Sequence, residues 1–260
     1  METHKAVPMK VWRRRLTAEI IDLMGALSHF PPRSVSALLW SSSKDNETAM
    51  HCAAHRLQNA GLIAMRRTRG QPPLMILTES GKSRVADLIW PERWWRKRWT
   101  GEWFVLVYDV PEKQRSYRKA LQGFLKRLRL GGLQRSVWIT PWDIRAEFDD
   151  LCEAASVADY AVLFQAQPTF RQSGKEIAAR AWDFDRLNQL HGRYLDDSQR
   201  RKPALPAGSG MLARIRFEFQ EYCQAMAEDP LLPEELYPSD YQGRNVVSTF
   251  RRRLCNLMAH

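Results

Sequence analysis

Cysteine is scarce in this chain, and the four present, Cys52, Cys152, Cys223 and Cys255, form no CxxC pair and no zinc-like spacing. That excludes a disulfide framework and a cysteine-built structural metal site, and it fits a reducing, cytoplasmic setting. Long apolar runs are missing too. Nothing approaches the roughly 18–20 continuous apolar residues of a membrane span, and the opening METHKAVPMKVWRRRL lacks the apolar core of a secretory signal, so no membrane partner is expected. No Walker loop, GxSxG or HExxH occurs, so an enzyme is not expected and no cofactor is implied. Internal repeats and low-complexity tracts are absent as well.

Positive charge is abundant: 40 Lys and Arg stand against 29 Asp and Glu, for a formal net charge of +11. Its distribution is uneven. Residues 1–100 carry 17 basic and 8 acidic side chains, net +9, while 101–180 are net +2 and 181–260 net 0. One basic module followed by two near-neutral ones suggests a polyanion reader attached to something else, with nucleic acid the leading polyanion.

Periodicity places elements inside that basic block. Val11, Leu16, Ile20, Leu23, Met24 and Leu27 form a helical stripe over residues 10–30, and Pro31 and Pro32 are expected to end it. A short helix follows, with Ser34 or Ser36 as its cap. A third runs from Asp45 or Asn46 to about Ala60, burying Met50, Ala53, Ala54 and Leu57, with Gly61 as its stop. LIAMRR and LMILT then read as two strands joined by the turn TRGQPP. Three helices and a basic hairpin are the parts of a winged helix-turn-helix. The outward face of the third helix would show Thr48, His51, Cys52, His55 and Arg56, and the wing would offer Arg66, Arg67 and Arg69 to phosphates. The DNA-binding candidates are therefore Thr48, His51, His55, Arg56, Arg66, Arg67 and Arg69. The alternative is a solvated basic face on a protein-interaction module.

A helix of about Glu79–Ile89 leads into WPERWWRKRWTGEW, which holds five of the ten tryptophans. This basic stretch could stack on bases or pack as a connector. From Trp103 the order is strand (WFVLVYDV), helix, strand (LQRSVWITP), helix, strand (YAVLFQA), with Gly131-Gly132 closing the first helix. A small sheet with helices on one face is expected. Beyond Gln172 a helical stripe of Ile177, Ala181, Phe184, Leu187 and Leu190 is followed by the loop RRKPALPAGSG. Helices at about Met211–Met226 and Arg244–Leu257 complete the chain. The expected fold is α+β in four segments: a winged helix-turn-helix at 1–90, a Trp-rich basic linker at 91–102, a β-α-β domain at 103–175 and a mostly helical region at 176–260.

Two further constellations invite chemistry. His51 and His55 are spaced i, i+4, but no convincing third ligand accompanies them and the residue after His51 is Cys52 rather than Glu, so no metal site is expected. Asp109 closes the YDV strand, where a carboxylate could hold Mg²⁺ for phosphodiester cleavage; capping the next turn, or pairing with Arg115 or Arg118, is the structural alternative.

Several motifs in the same order resemble the PaaX-type transcriptional repressors of phenylacetic acid catabolism. MHCAAHRLQNAGLIAMRRTRGQPPLMILTESG resembles the family's recognition helix, wing and closing strand-turn. WTGEWFVLVYDVPEKQRSYRKALQGFLKRL followed by SVWITP resembles its central domain, and AARAWDFDRL and DPLLPEELYPSDYQG its C-terminal region. The family usually has Arg at the place of His51 and Trp-Pro-Gly at the place of Tyr241-Gln242-Gly243. The resemblance implies a homodimeric repressor that binds double-stranded operator DNA and releases it when a small effector binds, an aryl- or acyl-CoA thioester such as phenylacetyl-CoA. It also implies a ferredoxin-like central domain that pairs subunits, with the linker transmitting the switch. That domain is similar as well to a CRISPR-associated endonuclease family whose metal-binding Asp corresponds to Asp109. A metal-dependent nuclease is thus one alternative function, and a non-specific architectural DNA binder another.

Overall fold

Proline placement decides the first joint of the chain. In the computed structural model, which describes residues 9–41, 47–68, 70–155, 160–168, 172–200 and 210–259, helix α1 spans Met9–Ala26 and stops before the two prolines. Pro32 opens α2 (Pro32–Ser41) instead of ending α1. The first helical position needs no N–H donor, and proline's fixed φ suits it. Neither expected serine caps α2. Ser36 lies inside the helix, buried, where its hydroxyl donates to the Met75 carbonyl (3.1 Å) and accepts from the Met75 N–H (2.8 Å). Asp45 and Asn46 lie outside the described residues.

Helix α3 (Glu47–Asn59) ends as its sequence dictates. Gly61 adopts φ +70°, and the Leu62 N–H reaches back to the Leu57 carbonyl at 2.9 Å, closing the helix with the left-handed turn that glycine allows. Strands β1 (Ile63–Thr68) and β2 (Gln71–Leu77) form an antiparallel two-stranded ribbon. Pro72 and Pro73, expected in the turn, belong to β2, where they stand opposite Arg67 alone at an irregularity in the register. Prolines cannot donate to a ladder, so strands tolerate them at edges and bulges, and both conditions hold here. Trp40 Nε1 donates to the Pro73 carbonyl at 2.8 Å, tying the ribbon to α2. The expected helix at Glu79–Ile89 is broken into α4 (Glu79–Arg84) and a short 3-10 turn at Asp87–Ile89. Gly81 has no room for a side chain, since a Cβ would stand 1.9 Å from the Leu62 carbonyl oxygen.

The chain divides into two compact units that do not follow chain order: residues 1–90, 200–224 and 248–260 make one, and 91–199 with 225–247 the other. The core of the first includes Ile20, Leu23, Leu27, Ala53, Ala54, Leu57, Ile63 and Met75. It also receives most of α10 (Met211–Met226) and α11 (Gly243–Met258). There Tyr222 stacks on Phe250 with centroids 4.0 Å apart and donates its hydroxyl to the Leu88 carbonyl. Arg253 pairs with the nearly buried Glu218 at 2.6 Å. Burial, with the Asp22 charge adding to it, pushes the Cys223 thiol up to about 12, so it stays protonated and unreactive at neutral pH.

The second unit carries α5 (Glu92–Trp95), β3 (Trp103–Tyr108), α6 (Arg115–Arg127), β4 (Gly131–Gln134), β5 (Val137–Thr140), α7 (Arg145–Ala155), β6 (Ala161–Ala166), α8 (Gly174–Ala181) and α9 (Phe184–Arg200). Its sheet has the order β4-β5-β3-β6, antiparallel throughout. LQRSVWITP is thus a hairpin rather than one strand, and Gly131-Gly132 belong to β4 rather than to a helix stop. The central arrangement is β-α-β-β-α-β. On one face Phe104, Leu106, Tyr108 and Trp138 form a core with Leu121 and Leu125 of α6, against which Phe148 and Leu151 of α7 pack. The expected stripe from Ile177 to Leu190 is interrupted at Trp182. Asp183 accepts from the Arg186 N–H at 2.9 Å and starts α9 afresh, while Ser173 and Glu176 form a reciprocal capping box on α8.

Behind α9 lies a buried polar cluster. Asp229, fully buried, accepts from the Leu231 N–H (2.9 Å), the Tyr237 hydroxyl (2.7 Å) and the Tyr241 hydroxyl. His191, also fully buried, has Nε2 3.7 Å from the Asp229 carboxylate, and among the described residues neither ring nitrogen has a hydrogen-bond partner. Burial holds its pKa below the ordinary 6.5, a displacement that Asp229 only partly opposes. The unfolded chain therefore takes up the proton first as pH falls. Stability attributable to His191 is expected to be full above pH 6.5 and to decline below it, toward the lowered folded value. Chemical unfolding of His191→Leu between pH 7.5 and about 5 checks this: the variant should show a shallower decline than wild type, and equal slopes would refute the assignment.

Candidate nucleic-acid interface

Helix α3 sorts its side chains by face. Met50, Ala53, Ala54 and Leu57 are buried, each at 6% exposure or less. Thr48, His51, Cys52, His55 and Arg56 are all exposed, so the spacing of four apolar positions turns the five candidate positions outward together. His51 is not a free imidazole, because its ring lies 4.6 Å from that of Trp40 in α2. Trp40 is itself buried, and no local pattern in the sequence signals this supporting contact.

Arg66 and Arg67 are exposed on β1. Neighbouring residues of a strand point to opposite faces, so the ribbon presents one cation on each side rather than a paired site. Arg69 lies outside the described residues. At the base of the ribbon the Arg33 guanidinium donates to the Gln71 side-chain oxygen, joining the start of α2 to the start of β2.

Asp109 follows β3 immediately, is exposed, and uses its backbone N–H to bond the Tyr160 carbonyl at 2.8 Å. The neighbouring Arg118 guanidinium, a suggested partner for it, donates to the Val110 carbonyl. Among the described residues no three His, Cys, Asp or Glu side chains converge as metal ligands. The tryptophans after Trp90 pack within the second unit. Trp94 meets Trp142 edge-on at 4.9 Å with the Lys97 ammonium 3.8 Å above the Trp94 ring, while Trp95 and Trp103 are buried. No helix among the described residues is long and apolar enough to cross a membrane.

Three comparisons with known proteins bear on this architecture. Residues 96–178 match the family model of the PaaX protein central Cas2-like domain, and residues 182–259 that of the PaaX-like protein C-terminal domain. The chain is 28% identical over 170 residues to the transcriptional repressor PaaX of Escherichia coli (strain K12), a match that covers 60% of this chain and 50% of that protein. It therefore spans about half the length of this curated relative. An uncharacterized protein from Mycobacterium tuberculosis shares the fold at a TM-score of 0.55 and 21% identity, covering 94% of this chain and 95% of that one. Fold and domain matches together define an α+β protein that carries the PaaX central and C-terminal domains. The chain belongs to the PaaX-type repressor family.

Proposed function

We propose that this protein is a DNA-binding transcriptional repressor of a catabolic operon, released from its operator by a small effector. The observation that carries the reading is the division of α3: its apolar residues are buried, while Thr48, His51, His55 and Arg56 stand exposed together beside a hairpin that shows Arg66 and Arg67. In this reading residues 1–90 are a winged helix-turn-helix whose α3 enters the major groove and whose ribbon contacts backbone. Residues 103–175 are a ferredoxin-like domain that pairs subunits. The antiparallel order β4-β5-β3-β6 supports that assignment.

Pairing itself is supported by the sheet's other face. Val107 pairs with Val162 across β3 and β6, and Val105 with Phe164, and Val107, Val162 and Phe164 are exposed at 36%, 54% and 51%. An apolar sheet face left open in a single chain is suited to a second copy. Residues 176–260, which supply parts of both compact units, are the effector-associated segment, joined through the 91–102 linker. An aryl- or acyl-CoA thioester such as phenylacetyl-CoA is the effector class proposed. The effector releases DNA by binding more tightly to the arrangement that cannot hold the operator.

Footprinting on the promoter of the chain's own gene tests the reading. Protection of a two-fold symmetric site, with half-sites one or more helical turns apart and affinity falling steeply with salt, is the expected result. If that promoter is bound no better than random duplex at moderate salt, sequence-specific repression fails as an account and non-specific architectural binding replaces it.

A further inference from the structure

The second unit contains a cleft of about 1020 Å³ between the end of α6, β4 and the start of α9. That volume is at the upper end of small-molecule sites, which run to about 1,000 Å³. Its walls combine two kinds of surface. Trp138, Trp182, Leu130 and Pro230 are apolar, while Lys126, Arg127, Arg129 and Arg186 bring positive charge.

One indole of that wall, Trp182, is made possible by Gly131. The Trp182 ring lies where a Cβ on Gly131 would stand, at 2.6 Å, and the Trp138 ring lies 3.9 Å from the corresponding point on Gly132. Any side chain at Gly131 would displace Trp182, so β4 keeps glycine where an indole must lie flat against the strand.

The charges are not equivalent. Asp183 is engaged in starting α9, and Glu228 holds Arg186 through two bonds of 2.7 and 2.8 Å. Lys126 and Arg127 stand in the last turn of α6, where they offset the helix dipole. Arg129 has no such reason to be there. It lies beyond the helix at φ +64°, in the left-handed turn that closes α6 and that ordinarily takes glycine. Its carbonyl accepts from the Trp182 indole N–H at 3.2 Å, and its guanidinium donates to the backbone carbonyl of Asp229. The bond to Asp229 uses one of the guanidinium's donors, and no carboxylate neutralises its charge among the described residues.

From a flat indole wall beside an unneutralised guanidinium and its cationic neighbours, we infer that this cleft binds a planar aromatic ligand carrying at least one anionic group, with Arg129 as the anion's principal partner. The inference deepens the effector reading above by giving the effector a place, although the cleft's chemistry is independent of DNA. Stacking holds the ring, charge-assisted hydrogen bonds hold the anion, and each half alone binds weakly.

The test uses the full chain and the fluorescent probe 1-anilinonaphthalene-8-sulfonate, which has both features. Saturable binding of one probe per chain is expected, with displacement by 1-naphthyl phosphate at concentrations at least about tenfold below those needed for inorganic phosphate or 2-naphthol. Arg129→Gly suits the left-handed turn and removes the cation together with its bond to the Asp229 carbonyl; it should weaken probe binding at least about fivefold with the circular dichroism spectrum unchanged. Lys119→Ala, exposed on α6 outside the cleft, removes a cation of the same helix and should leave binding unaffected. Wild-type affinity in Arg129→Gly, or loss of the signal in Lys119→Ala, overturns the inference. Operator binding measured in parallel separates the two readings: a chain that binds no operator but keeps Arg129-dependent probe binding refutes the repressor and leaves the cleft standing.

Discussion

Asp229→Ala is expected to lower the stability of the second unit by about 3–5 kcal/mol, the cost typical of removing one partner from a buried charged network. The carboxylate is fully buried and accepts from one backbone N–H and two tyrosine hydroxyls. Alanine leaves those donors facing a void. The Tyr237 hydroxyl would keep its bond from the Leu232 N–H and its contact with the Tyr241 hydroxyl but lose its charged acceptor, and an unsatisfied buried donor costs about 1–3 kcal/mol. Burial and the Asp229 charge both hold the Tyr237 and Tyr241 hydroxyls protonated, so neither can replace the lost anion. Asp229→Asn retains an acceptor and should recover part of the loss. Equilibrium unfolding in guanidinium at pH 7.5 measures both, and a loss below about 1 kcal/mol for alanine would show that the cluster does not hold the segment around residues 229–241 in place.

The second large effect concerns DNA. Replacing Arg56, Arg66 and Arg67 together by alanine should leave folding within a few tenths of a kcal/mol per site, since all three are exposed. Operator binding should weaken by orders of magnitude at moderate salt. Each phosphate that is no longer neutralised lowers the slope of log K against log salt by about 0.9, so a reduction of up to about 2.7 is expected per protomer. The single variants then divide the roles. Arg66→Ala and Arg67→Ala should weaken all sequences alike, whereas Arg56→Ala should also relax preference at one base pair if its guanidinium reads guanine, by about 1–3 kcal/mol. Binding assays from 50 to 300 mM salt on operator and random duplex decide this, and an unchanged slope in the triple variant would remove these residues from the interface.

How far the sequence could be read depended on the range of the forces involved. The exposed face of α3 was legible because amphipathic spacing is a local signal: four buried positions determine where the other residues of the same helix point. Gly61 was legible for a similar reason, a left-handed turn being a property of one residue. The β4-β5 hairpin was missed because Gly131-Gly132 is also a helix stop in local terms; only Trp182, lying against Gly131 from about 50 residues away in sequence, shows why glycine is needed in that strand. Ser36 was mistaken for a cap because its partner, Met75, comes from a different element.

The sequence by itself determined the class of the chain: a basic first hundred residues, an α+β succession, and motifs in family order. Those features rest on composition, periodicity and short-range turn chemistry, which any segment carries with it. Tertiary structure alone decided what sits beside what. Arg129 and Asp229 are 100 residues apart and His191 lies between them in sequence, yet the Arg129 guanidinium bonds the Asp229 backbone carbonyl and His191 lies against the Asp229 carboxylate. No periodicity marks those residues, because burial of a polar group is tolerated only where partners from distant elements satisfy it, and that condition exists only once the chain has folded.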